Sequence, residues 1–183
     1  MGRGLVLLAL LVGCTEPAPL GCPDVPASAE PLEIGVRGDS GLFEPLADGD
    51  PLLFMLGSQG NPMVFPCLRA RGIEPRGPQR DLCVDVGGRA VGFPNAGERV
   101  DLPFDGTGNV LWDLRTVLVV EACCANCQTA TVVATMRDTR GRLYAGSVDV
   151  VLGRGTCPDP VGSCCSAADT CPPPLITNVC SAE

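Results

Sequence analysis

Cysteine is the residue type with the most chemistry to offer in this chain: 12 of its 183 residues are Cys. Three crowd into Cys123-Cys124-Ala125-Asn126-Cys127, and five follow Arg154: Cys157, Cys164, Cys165, Cys171 and Cys180. Thiolates at Cys-x-x-Cys spacing suit Zn²⁺, with Cys164-Cys165 able to complete a set of four. With Met63 or Met136 the same thiolates suit Cu(I). In an oxidising compartment these cysteines instead form disulfides. Carboxylates gather at Asp48-Gly49-Asp50 and between Asp101 and Asp105. Clustered oxygens suit Ca²⁺, although neither stretch has EF-hand spacing. Two opposed carboxylates would also serve glycoside hydrolysis. The plain reading of both stretches is solvated turn aspartate.

What is missing narrows the chemistry further. All 13 basic residues are Arg, and there is no His. No Ser-His-Asp triad, Cys-His dyad or His metal site is possible, and no Lys Schiff base or Walker A loop. The expectation is a protein that is not an enzyme and needs no cofactor. A formal net charge of −8 without a basic cluster argues against nucleic acid as a partner. Gly38-Asp39-Ser40-Gly41 resembles the nucleophile strip of trypsin-like proteases. The chain has no base to take the serine proton, so this stretch reads as a turn.

The N-terminus is Met-Gly-Arg-Gly followed by eight apolar residues, Leu5 to Val12. That run is too short to span a bilayer, which takes about 20 residues, and is the length of a signal-peptide core. It closes in Leu11-Val12-Gly13-Cys14, which resembles the lipobox of bacterial lipoproteins. The resemblance implies cleavage before Cys14, a diacylglycerol thioether on Cys14, and a membrane anchor without a transmembrane helix. Thr15 in place of Asp favours the outer membrane. A plain secretory signal cut elsewhere, or a buried first strand or helix of a soluble domain, is the alternative. The stretch from Gly38 to Asn61 is also similar to the opening of uncharacterised secreted lipoproteins, at Phe43, Pro45, Leu46, Asp48, Gly49, Gly57, Gln59 and Gly60.

The elements that must carry these residues are short. Residues 1–13 read as signal peptide and 14–30 as the lipidated Cys with a Pro- and Ala-rich tether. Residues 31–153 alternate apolar runs with Gly, Pro and Asp clusters and lack a helical stripe. This predicts an all-β domain, an Ig-like antiparallel β-sandwich. Pro66 breaks the run from Met63 to Ala70. Thr129–Arg137 and Arg142–Leu152 flank a hairpin turn at Asp138-Thr139-Arg140-Gly141. Pro51 to Leu56 is an unbroken apolar run. Trp112 shares parity with Val110 and Leu114 and is expected in the core, with Asp113 and Arg115 pairing outside. Residues 154–183 form a Cys-rich irregular tail.

With Cys14 lipidated, eleven cysteines remain, so one is left over. Cys22, in the tether, is the expected leftover, and Cys67 with Cys83 the expected pair. The remaining disulfide candidates are Cys123, Cys124, Cys127, Cys157, Cys164, Cys165, Cys171 and Cys180. The functional expectation is an exported, membrane-anchored, non-catalytic module of the envelope that binds a protein or glycan. The alternative is a thiolate metal-handling protein using Cys123, Cys124 and Cys127.

Overall fold

The computed structural model describes residues 21–93, 97–119, 125, 126 and 128–154. Its named elements are all strands: β1 (Glu30–Arg37), β2 (Phe43–Pro45), β3 (Asp50–Leu56), β4 (Pro62–Val64), β5 (Cys67–Ala70), β6 (Arg76–Val86), β7 (Arg89–Phe93), β8 (Arg99–Asp101), β9 (Asn109–Leu111), β10 (Thr116–Leu118), β11 (Thr129–Arg137) and β12 (Leu143–Arg154). The all-β class is as expected. Two features correct the Ig-like antiparallel sandwich. Seven strands close into a barrel in the order β11-β6-β7-β10-β4-β3-β12, with β12 pairing back to β11. Two of the pairings, β12 with β1 and β12 with β3, are parallel.

Closure rests on β11. Its small and β-branched residues pair antiparallel with β6 from Ala130 to Arg137 and with β12 along its whole length. A closed ring leaves no unpaired strand edge within it. Inward residues fill the interior, among them Leu52, Phe54, Val64, Leu82, Val84, Val132 and Leu152. The β11–β12 hairpin turns at the expected Asp138–Gly141. The Asp138 carboxylate accepts the Arg140 and Arg142 N–H groups and the Arg142 guanidinium there.

A smaller sheet of β1, β2, β5 and β9 leaves the barrel along β12. Two chain segments cross from ring to flank together. The first is β4 into β5, which Pro66 separates as expected. The second is β9 into β10, in which the chain from Val110 to Leu118 divides between two strands. Leu114 N–H bonds Pro66 C=O at the crossing, and Asp113 adopts φ 51°. The result is a two-stranded ribbon bent at Pro66 and Asp113.

Residues 21–29 precede β1, and Cys22 is bonded to Cys83 of β6 across a Cα–Cα distance of 5.5 Å. The expected pairing of Cys67 with Cys83 is therefore corrected, and so is Cys22 as the leftover. Cys67 carries the free thiol among the described cysteines. It lies under the flanking sheet, whereas Cys83 faces outward from the ring beneath the N-terminal segment. Shallow clefts of about 180 and 340 Å³ run on either side of that segment, and Val133 lines both. This explains why Val133, with outward parity on β11, is buried.

Candidate interaction face

The apolar run Pro51–Leu56 forms a strand with two unlike faces. Leu52 and Phe54 point into the barrel with at most 1% exposure, while Leu53 and Met55 point out at 56% and 48%. The strands beside β3 continue this outer face. Pro51 pairs with Val151 and Leu53 with Gly153 of β12. Met55 pairs with Met63 of β4, and Met63 with Val117 of β10. Every outward position in this block is apolar. The block crosses four strands, three spacings of about 4.8 Å, or roughly 14 Å. Leu53 lies over Gly153, where an added Cβ would stand 3.1 Å from Leu53 Cδ2. Met63 folds against Gly57 in the same way, its Cε 3.0 Å from a Cβ there. Val119, 79% exposed, extends the surface past β10. Contiguous exposed apolar surface of this kind marks interaction sites, whereas single exposed apolar residues do not.

The flanking sheet carries the most polar chemistry, but its groups satisfy one another. Phe43 lies across Gly35, where a Cβ would come within 2.6 Å of its ring. With Cys67 and Val110 it makes a small buried cluster, against which Trp112 is half-buried. Arg37 stacks 4.5 Å over the Trp112 ring and pairs with Asp113 at 2.6 Å. Arg69 stacks 4.2 Å over Phe43 and pairs with Glu33 and Asp105. Burial works against the Arg69 charge, but Glu33 and Asp105 outweigh it and hold the cation above its usual range. Burial likewise would raise Asp105. N–H donors from Thr107 and Gly108, the Thr107 hydroxyl and Arg69 prevail and lower it to about 2. The Cys67 thiol accepts the Asp113 N–H at 3.3 Å. Burial pushes its pKa up despite that bond, the opposite of what a reactive thiol requires.

The residues singled out from the sequence fall as follows. Ser40 accepts the Leu42 N–H inside the β1–β2 turn, where Gly41 N–H bonds Gly38 C=O. Asp48 accepts the Asp149 N–H and so pins the β2–β3 loop to β12, and Asp50 accepts the Ala47 N–H within the turn itself. Asp101 accepts the Gly77 N–H. Trp112 sits over the small cluster and Leu114 in the main core, because the bend at Asp113 breaks their shared parity. Asp113 pairs with Arg37 and not with Arg115. Met136 is fully buried and Met63 lies on the outer face, so the structure separates the two methionines. Among the described residues no three His, Cys, Asp or Glu side chains converge on a metal-sized site. Cys14, Cys123, Cys124, Cys127, Cys157, Cys164, Cys165, Cys171 and Cys180 lie outside the described residues.

The apolar face itself was not anticipated. Its signal was present, since Pro51 to Leu56 has no polar residue to assign to a solvated side. An unbroken run of this kind is ordinarily buried on both faces. No family model matches the chain, and no curated protein matches it significantly. Among solved structures the N-terminal domain of PorA is similar at 13% identity and a TM-score of 0.31, covering 68% of this chain and 99% of that domain.

Proposed function

We propose that the chain is a bacterial lipoprotein anchored in the envelope, on the outer membrane, and that its barrel is a non-catalytic docking module for another envelope protein. The observation carrying the docking part is the apolar outer face of β3, β4 and β10. The anchoring part is supported by Leu11-Val12-Gly13-Cys14 at the end of a short apolar run. The occupant is a protein and not lipid, because of the ring order. The segment leading from the anchor is clasped to β6, and β6 lies across the ring, three strands from both β3 and β4. A barrel held at β6 turns the apolar face away from the membrane. The occupant is therefore expected to present an apolar surface of its own, matching Leu53, Met55, Met63 and Val117.

Two measurements test this reading. Intact mass spectrometry of the membrane-extracted chain, before and after reduction, reports acylation and disulfide count. A chain that keeps Met1 unmodified overturns the anchor. A photo-crosslinking residue at Leu53 should capture protein, while one at the exposed Asp81 of β6, across the ring, should not. Capture of lipid alone at Leu53 would overturn the docking assignment. The metal-handling alternative predicts three or more reduced thiols with stoichiometric metal, which the same mass measurement detects.

A further inference from the structure

Two of the four methionines of the chain stand side by side on the apolar face. Met55 and Met63 are direct cross-strand partners, and Met55 is 48% exposed. Met136, on the inward side of β11, is 0% exposed. Their neighbours Pro51, Leu53, Val117 and Val151 are hydrocarbon and inert to mild oxidants. The chemical reactivity of the face is thus confined to two adjacent thioethers at its centre.

We infer that Met55 and Met63 form a paired sulfoxidation site through which peroxide-class oxidants convert the apolar face into a polar one. In each event the thioether sulfur donates a lone pair to one oxygen of hydrogen peroxide. The O–O bond breaks, an S–O bond forms, and the second oxygen leaves as water after taking up a proton. Sulfur is oxidised by two electrons and the peroxide is reduced by two. No base or metal from the protein is needed, only access to the sulfur. Each product is a polar, chiral sulfoxide in place of a flexible apolar end, and it is reducible again by sulfoxide reductases. Two such changes on a cross-strand pair interrupt the apolar block between Leu53 and Val117. The regulatory consequence rests on the docking role proposed for this face; the modification site does not.

The test uses the full folded chain, dilute hydrogen peroxide and peptide mass mapping against time. Met55 should be oxidised first and Met63 next, both at least about tenfold faster than Met136, since susceptibility follows exposure. Retention on a phenyl matrix should fall with oxidation. A chain carrying Met55→Leu and Met63→Leu keeps the face apolar and should show unchanged retention after the same treatment. Equal rates at Met136, or retention that does not move when Met55 and Met63 are oxidised, would overturn the inference. Selective oxidation with falling retention, in a chain whose Leu53 crosslinker captures no protein, would leave this site standing and remove the docking reading.

Discussion

The Asp105 carboxylate ties the loop after β8 to the flanking sheet. It accepts N–H bonds from Thr107 at 2.8 Å and Gly108 at 2.9 Å, and it reaches Arg69. Its pKa of about 2 in the folded chain lies below the unfolded value of about 3.9. The stabilisation, of order 2 kcal/mol, is therefore complete above about pH 4 and is lost as pH falls towards 2. Asp138, lowered by its Arg142 and Arg140 donors against the effect of burial, acts in the same direction. Asp105→Asn should cost about 2 kcal/mol at neutral pH in denaturant titration, and the difference from wild type should vanish near pH 2. A deficit that persists undiminished at pH 2 would show that packing and not charge is responsible. The turn position of Asp105 was readable from its Gly- and Thr-rich surroundings. Its Arg69 partner, 36 residues earlier in the chain, was not, because no local spacing encodes it.

The bent ribbon of β4–β5 and β9–β10 joins the barrel to its flanking sheet, and its packing depends on small residues. Gly35 on β1 leaves room for the Phe43 ring to lie flat between Arg69 and the Trp112 edge. Gly35→Ala should destabilise by about 1–3 kcal/mol through overpacking and should change the near-ultraviolet signal of Trp112. The added Cβ would also meet the Glu44 carbonyl oxygen, so unaltered stability would mean that both the ring and the β1–β2 pairing can shift without cost. Several strands were legible in advance: the Pro66 break, the Asp138–Gly141 turn and the Thr129–Arg137 strand all have local causes. The division of Val110 to Leu118 was not, because the positive φ of Asp113 goes with long-range bonds, Asp113 N–H to the Cys67 sulfur and Leu114 N–H to the Pro66 carbonyl, that no local pattern encodes. The two-faced character of β3 was hidden for a different reason. Its outer face lacks the polar residues that ordinarily reveal a period of two.

For the molecule as a whole, the decisive long-range facts are ring closure and the Cys22–Cys83 bond. Alternating strands separated by turns are common to sandwiches and barrels, so local pattern supported the all-β class without choosing between them. The choice depends on β11 pairing with both β6 and β12, a matter of register between distant segments. The disulfide encloses 61 residues of chain separation, for which the loop-closure argument gives about 4 kcal/mol. Replacing Cys22 and Cys83 by Ser together should lower unfolding stability by roughly 2–4 kcal/mol in denaturant titration, and loss of under about 0.5 kcal/mol would show that the clasp is energetically idle.

The clasp also sets a mooring distance. On the proposed anchoring, eight residue steps separate the acylated Cys14 from the covalent joint at Cys22, and fully stretched they span no more than about 29 Å. Without the joint, the slack would run on to Glu30 and roughly double. The barrel would thus ride close to the bilayer with restricted freedom to roll. Only a protein approaching from the aqueous side could meet its outward flank.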